Sequence, residues 1–491
     1  MSKLLRYLVI CYLLSTPYCL PLYSYPQGWS DDILITIDSI GDTPDIDVDS
    51  HNNVWITWYI ATWTDGEVYY SKRDSLGNCL IPETSVSNNA SKSYLSRIAV
   101  DKSDNVQFIW RDASPQGDGV WHAKLANDGS VLVPPHLAVS GSGGYSLIPG
   151  IALDKYKNIN IICDGTTSGY YKMYYSKLDS LGNPIIDKLQ VSTDNVNVYW
   201  PGIGVDSLGN SHMAYRTDTA GIAYRLTYTK IDQDGNIVIS NKNLWFGGNP
   251  TLIADPSQNI HMVYTDPTES SNRIKYLKLD QQGNVILSPR TISLPGTESN
   301  TYVHMAMDSL YYLHVVWQAS EMSYNRIMYA KLDTLGDTLI SPVEIVGIPH
   351  TTLAGEPRIA VDLSNRLHVT WMDGRLNPGE TLDIFYKRGE NEQSIGETEQ
   401  SMRPYYGISA CPNPFCRTTI IHFSGHYSDE STVISIFDVT GSVVQEFTLG
   451  KSSDAVEWCG EDNLGNQLPP GIYFVCTKDD WYSKMIKLVK L

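Results

Sequence analysis

The sequence predicts an all-β chain: a seven-bladed β-propeller followed by a small immunoglobulin-like β-sandwich. Three observations carry that prediction. Seven times an aspartate is followed nine residues later by an aromatic or small apolar residue: Asp49/Trp58, Asp101/Trp110, Asp154/Cys163, Asp206/Tyr215, Asp255/Tyr264, Asp308/Trp317 and Asp362/Trp371. The steps between these aspartates are 52, 53, 52, 49, 53 and 54 residues, so one supersecondary unit is copied in series. After residue 404 the period stops, and short alternating runs such as Val433-Ile434-Ser435-Ile436-Phe437 take over.

Each repeat reads as four strands. Strand one is short and apolar, as in Ile98-Ala99-Val100, Ile151-Ala152-Leu153 and Ile359-Ala360-Val361. Its small middle residue lets inner strands crowd near an axis. The repeated Asp opens a turn that Asn closes four residues later at Asn53, Asn105, Asn158, Asn210 and Asn259; both residue types cap turns through backbone hydrogen bonds. Strand two alternates and ends at the aromatic position. Strand three carries Tyr-x-Lys, as in Tyr70-Ser71-Lys72 and Tyr175-Ser176-Lys177, with His122-Ala123-Lys124 as a variant and Phe385-Tyr386-Lys387 in the last repeat. Being periodic, that motif reads as a packing device. A second turn follows, Asp74-Ser75-Leu76-Gly77-Asn78 and its copies, where glycine supplies positive φ.

The last repeat lacks its second turn and fourth strand, while the orphan strand Ile33-Leu34-Ile35-Thr36-Ile37 precedes the first. Pairing the two chain ends closes the ring and removes the edges a linear array would expose.

Across residues 32–388 the pattern resembles the sialidase-like and related bacterial lectin-like propellers. The Asp-x-x-Gly-Asn turn sits between strands three and four, where that superfamily places its Asp-box. The Ser-x-Asp-x-Gly-x-Thr-Trp box itself is absent, and Arg97-Ile98-Ala99 and Arg358-Ile359-Ala360 only begin like the family's Arg-Ile-Pro segment. Family sialidases have six blades. The resemblance therefore implies architecture and not activity.

The totals set further bounds. Hydrophobic residues make up 42% of the 491, enough for real cores, and 32 Tyr and 37 Gly against eight Phe fit many short strands with tight turns. The net charge of −18 argues against nucleic-acid binding. Residues 1–25 read as a secretory signal, with Lys3 and Arg6 before the apolar run Leu8–Leu14, too short to cross a bilayer. No transmembrane segment is expected in the mature chain. Of eight cysteines, Cys163 takes a buried aromatic position, and Cys411, Cys416, Cys459 and Cys476 fall in the tail, where an exported chain permits disulfides of unspecified pairing.

Residues 389–404 are polar and read as a linker. Beyond them, Pro412-Asn413-Pro414-Phe415, Asp438-Val439-Thr440-Gly441, Trp458-Cys459-Gly460, Leu468-Pro469-Pro470-Gly471-Ile472-Tyr473-Phe474 and a closing Lys484-to-Val489 strand stand in order. Residues 405–491 resemble a type A sorting domain of the type IX secretion system. That resemblance implies the type IX machinery as partner, export across the outer membrane of a Bacteroidetes-type cell, removal of the tail, and release or surface attachment. Pro412, Asn413, Pro414, Gly441 and Gly471 are its motif positions. Cys411 and Cys416 flank the first block and are candidates for a local disulfide.

Ligands usually meet a propeller at the channel mouth, where strand one starts. Four residues before the repeated Asp the ring reads Asp45, Arg97, Gly150, Gly202, Thr251, His304, Arg358, which makes Arg358, Asp45 and Arg97 consecutive. Asp47 replaces the usual alanine and is expected to need a cation partner. These charges read either as a salt-bridged plug or as a site for an anionic or hydroxyl-rich ligand. The face loops add Arg111, Asp112, Asp373, Arg375 and Trp63, residue types that suit carbohydrate. The loops differ between repeats, which favours one composite site over seven equal ones.

The eleven histidines lack metal-ligand spacing, and no phosphate loop, dinucleotide fingerprint or Gly-x-Ser-x-Gly appears, so no cofactor or metal is expected. The sequence reading is a secreted or outer-membrane-surface module that binds glycans or proteins. Its alternatives are a sialidase-like glycoside hydrolase or lyase and an adhesion module without a small ligand.

Overall fold

Six of the aspartate repeats each fold into their own four-stranded antiparallel sheet, and the seventh supplies three strands of another. The computed structural model describes residues 28–389 and 407–490, apart from 37–40, 62–65, 89–91, 115–116, 142–148, 168, 194, 220–221, 270, 297, 322–323, 347–353, 377–381, 412–414, 416, 425–431, 450–454 and 478–484. The signal segment, most of the linker, Trp63 and the Pro412-Asn413-Pro414 block lie outside the described residues, as does Cys416 of the suggested disulfide. Every element among the described residues is a β-strand, and the chain divides into two compact units, Met1–Glu399 and Gln400–Leu491.

In the first unit the inner strands are Asp42–Val48, Ser93–Val100, Gly150–Leu153, Asn197–Val205, Gly248–Ala254, Ser299–Met307 and Gly355–Val361. Each packs against the next, and the last packs against the first, which gives a propeller-like ring of sheets. Within each sheet the strands run in open order, and no sheet is closed on itself. The crowding is tightest where glycine was read in strand one: a Cβ on Gly202 would sit 2.2 Å from the Pro250 carbonyl oxygen, and one on Gly204 2.9 Å from that of Leu252. Strand two is buried on both faces. Ile56, Phe108, Ile161, Met213, Met262, Val315 and Val369, each seven residues after its Asp, are fully buried between sheets, as is nearly every residue at the aromatic position.

The repeated aspartates make the turn their spacing predicts. Asp49 Oδ1 accepts the backbone N–H of His51 and Asn53, each at 2.9 Å, while Oδ2 accepts Asn53 Nδ2 at 2.9 Å. The strand-three lysine links neighbouring sheets. Lys72, Lys124, Lys177, Lys230 and Lys278 each donate to a carbonyl in the second turn of the following sheet: Asn127 (2.7 Å), Ser180 (3.0 Å), Gln233 (3.1 Å), Gln281 (3.0 Å) and Thr334 (3.2 Å). In the last repeat the sequence alignment was one residue out. Tyr386 pairs with Thr370 as Tyr70 pairs with Thr57, so the equivalent cation is Arg388, which reaches the Ser75 carbonyl of the first sheet at 3.5 Å. Lys387 instead points to a buried pair with Asp32 at 2.7 Å.

The orphan N-terminal strand supplies the missing fourth strand. Ile33 and Leu34 pair with Tyr386 and Phe385, and Ile35 N–H donates to the Ile384 carbonyl at 2.8 Å. Asp32 lies between Lys387 and Arg375, whose Nη1 donates to it at 2.6 Å, and all three side chains are buried.

A second periodic device was missed in the sequence. Six residues after four of the aspartates stand His212, His261, His314 and His368, all buried. His261 Nε2 donates to Asp255 Oδ2 (3.2 Å), and the Tyr276 hydroxyl donates to His261 Nδ1 (2.8 Å). The other three histidines sit between Asp206 and Tyr228, Asp308 and Tyr329, and Asp362 and Tyr386 in the same way. An Asp–His–Tyr relay suggests catalysis, yet four sealed copies in consecutive sheets make it scaffold.

Burial keeps His212, His261 and His368 neutral. It pushes His261 down to about 4, and lowers His212 and His368 as well. An unfolded histidine titrates at about 6.5, so the unfolded chain takes up protons first as pH falls. The stability contributed by the neutral rings is complete above about pH 6.5 and is lost as pH falls towards 4. The melting temperature is expected to drop across that window, and less steeply in a His261→Gln/His368→Gln variant; a flat profile from pH 7 to 4 would contradict the assignment.

The second unit holds one three-stranded sheet (Gly407–Cys411, Thr419–Ser424, Ala455–Trp458) and one four-stranded sheet (Thr432–Phe437, Val443–Leu449, Gly471–Thr477, Met485–Lys490). Ile421 and Trp458 of the first share a core with Ile434, Ile436, Tyr473, Val475 and Leu488 of the second. Gly441 closes an Asp-capped turn at φ 82°, which explains that motif position, and Gly471 opens a strand of the larger sheet.

Candidate functional site

The inner strands do not run straight into the ring. Six residues before the repeated Asp, Thr43, Leu95, Trp200, Asn249, Tyr302 and Glu356 all have left-handed backbone, with φ from 46° to 57°. The register with strand two shifts at each of these places, the mark of a β-bulge. The third repeat's counterpart, Ile148, lies outside the described residues. Bulky or β-branched residues pay about 1–3 kcal/mol each for such backbone. A bulge re-aims its side chain, and here all six line one axial cavity of about 530 Å³. That is room for a small ligand.

The next layer is the one predicted from sequence. Asp45, Arg97, Gly150, Gly202, Thr251, His304 and Arg358 all line the cavity. Several also tie inner strands together: Asp45 Oδ2 accepts Ile98 N–H at 3.1 Å, Thr251 Oγ1 donates to the Val303 carbonyl at 3.1 Å, and His304 Nδ1 accepts Ile359 N–H at 3.3 Å. His304 is therefore an acceptor. Burial, with Arg358 and Arg97 adjacent, holds it neutral.

Two arginines share this layer. Arg358 Nε lies 3.7 Å from Asp45 Oδ1, and Arg97 Nη1 donates to the Ser96 carbonyl at 2.7 Å. Burial, then the like charge of Arg358, pulls Arg97 down to about 10, so it stays a cation at neutral pH. Burial raises the Glu356 carboxyl above its usual range. Tyr59 donates to Asp42 Oδ2 at 2.9 Å, and burial and that carboxylate push its hydroxyl up, away from ionisation.

Asp47 departs from expectation. Among the described residues it takes no cation; its carboxylate accepts Val48 N–H at 2.8 Å and Val100 N–H at 2.7 Å, so backbone dipoles stand in for the ion pair. Burial outweighs them and raises it to about 6.

Of the other predicted site residues, Arg111, Asp112, Asp373 and Arg375 do not line the cavity. Asp112 is fully buried, accepting Ser93 Oγ at 2.6 Å and Trp110 Nε1 at 3.3 Å. Asp373 repeats this with Trp371 Nε1 at 3.2 Å, and also takes Arg375 N–H at 2.9 Å. Arg375 is spent on Asp373 and Asp32, and stacks on Phe385 at 4.4 Å. Arg111 is buried over the Tyr94 ring at 4.7 Å. A polar residue two after the strand-two tryptophan anchors the indole N–H, which reads in sequence like a face-loop polar group. The residues the sequence reading missed are the bulge residues, above all Trp200, Tyr302 and Glu356. Their constant offset from the repeated Asp was available as a signal, but their chemistry differs in every repeat.

Residues 409–491 match the family model of the secretion system C-terminal sorting domain. No curated protein sequence matches the chain. Among solved structures, a protein of unknown function from Dyadobacter fermentans is 11% identical, with TM-score 0.45, covering 74% of this chain and all of that one. A PL25 ulvan lyase, a polysaccharide lyase solved with a bound saccharide, is 8% identical, with TM-score 0.49, over 72% of this chain and 95% of its own. The leech intramolecular trans-sialidase is 10% identical, with TM-score 0.44, over 75% and 71%. None of the three reaches a TM-score of 0.5.

Proposed function

We propose that the chain is an exported seven-bladed propeller that binds a hydroxyl-rich saccharide at the mouth of its axial cavity, with an immunoglobulin-like sorting sandwich as its export tag. The tail supports secretion or cell-surface attachment through the type IX machinery. The observation that carries the binding reading is the two-layer mouth. Trp200 and Tyr302, each more than a third exposed on left-handed backbone, line the same cavity as Arg97, Arg358, Asp45, Asp47 and Glu356. Aromatic rings offer flat apolar faces to the C–H side of a sugar, while guanidinium and carboxylate groups supply donors and acceptors for its hydroxyls. Three carboxyl groups against two guanidiniums in the lining favour a neutral sugar over a polyanion.

The enzymatic alternative, a glycoside hydrolase or lyase, draws on Glu356, a buried carboxyl with raised proton affinity in the same cavity. A glycan array tests both readings. The full chain is expected to bind a defined subset of glycans, and Arg97→Ala/Arg358→Ala to lose about tenfold or more in affinity, the worth of hydrogen bonds to charged groups. Product release from a bound glycan, abolished by Glu356→Gln, would favour the enzyme. Binding unchanged in the double variant would remove the mouth as the site.

A further inference from the structure

Trp200 belongs to a second cluster that leads outward from the mouth. The Arg216 guanidinium lies 5.1 Å from the Tyr199 ring, 5.1 Å from Trp200 and 3.7 Å from Tyr224. Tyr199 in turn meets Tyr171 of the preceding sheet at 5.5 Å. Asp218 fixes the hub: Arg216 Nε donates to its Oδ1 at 2.7 Å, and the same oxygen accepts Tyr224 N–H at 2.8 Å. Neither charge is left over, so the cluster recognises no simple ion.

Its aromatic faces are what remain to explain. Trp200 is 38% exposed at φ 52°, and Tyr224 is 42% exposed at φ 63°. Each residue has left-handed backbone strain and leaves apolar ring area in water, both of which oppose folding. No other described sheet gathers three aromatic rings about one arginine at its mouth end.

We propose that Trp200, Tyr224 and the Arg216–Asp218 hub form an outlying subsite that holds the sugar units of a polysaccharide chain running out from the axial cavity. The inference rests on the saccharide reading of the cavity, and it adds that the ligand is a polymer crossing the fourth sheet. Tyr224 carries the stacking surface, and Arg216 with Asp218 keeps it in place.

The test is affinity gel electrophoresis of the full chain in laminarin, xylan, alginate or chondroitin sulfate, with the corresponding disaccharides as competitors. Tyr224→Gly removes the ring where glycine suits the backbone, so its melting temperature is expected to hold or rise. Its affinity for the retaining polymer is expected to fall about three- to tenfold, the worth of roughly one stacked ring, while the disaccharide competes as it does for wild type. Unchanged polymer affinity in Tyr224→Gly, with Arg358→Ala impaired, would overturn the subsite and leave the cavity standing. Impairment in Tyr224→Gly with Arg358→Ala unaffected would make the cluster the binding site itself and overturn its role as an extension of the cavity. A lowered melting temperature with intact affinity would make Tyr224 a cover for Arg216, and retention by no polymer would overturn both proposals.

Discussion

Replacing Asp255 by alanine is expected to destabilise the ring by about 3–5 kcal/mol, the cost of leaving one buried charged partner and its hydrogen-bonded neighbours unpaired. One carboxylate serves four groups: the N–H and Nδ2 of Asn259 at 2.8 and 2.9 Å, His261 Nε2 at 3.2 Å and Lys278 Nζ at 3.4 Å. Burial opposes its charge, yet the hydrogen bonds from Asn259 and His261 outweigh that and hold the carboxyl below its usual range. Alanine would leave Lys278 without its ion pair and the His261 N–H without an acceptor. Asp255→Asn keeps the turn and loses the charge, so it should fall between alanine and wild type. Thermal unfolding of the three proteins measures this; equal melting temperatures for alanine and wild type would show that the repeated aspartate is a turn former and nothing more.

Asp32→Ala is expected to act at the chain ends with similar force. Asp32 faces Lys387 and Arg375, whose side chains are 0% and 6% exposed, so its removal takes one ion pair from each and leaves Asp373 to Arg375. Burial already lowers Lys387, which shows how poorly its charge is solvated there. The expected loss is again about 3–5 kcal/mol, with a specific signature. The strand Ile33–Leu34 and its partner Asp383–Gly389 should exchange amide hydrogens faster, while the interior sheets keep their protection. Uniform loss of protection would mean that the ring melts as one unit and that the clasp is not a separate element.

These two sites show what the sequence made legible. Period, turn chemistry and the missing fourth strand are local facts, and each aspartate turn and the pairing of Ile33 with Tyr386 followed from them. Cavity residues four before the Asp were legible for the same reason, because a fixed offset in a repeat is a fixed place in the ring. Asp112 and Asp373 were misplaced because an acidic residue after a strand-two tryptophan looks the same whether it faces solvent or accepts an indole N–H. The last repeat slipped by one because both Lys387 and Arg388 are cations, and only the strand register separates them. The histidine relay was overlooked because Trp55, Gln107 and Asn160 fill its place in the first three repeats. The bulges carry no residue preference at all: threonine, leucine, tryptophan, asparagine, tyrosine and glutamate adopt one conformation that their neighbours impose.

The central claim is that the mouth of the ring holds a saccharide. A crystal structure of the full chain soaked with the tightest-binding oligosaccharide from the array tests it most directly. The account predicts sugar density between Trp200 and Tyr302, with hydroxyls in reach of Arg97 and Arg358. Density on the outer edge of the sheets, with the axial cavity unchanged, would contradict it.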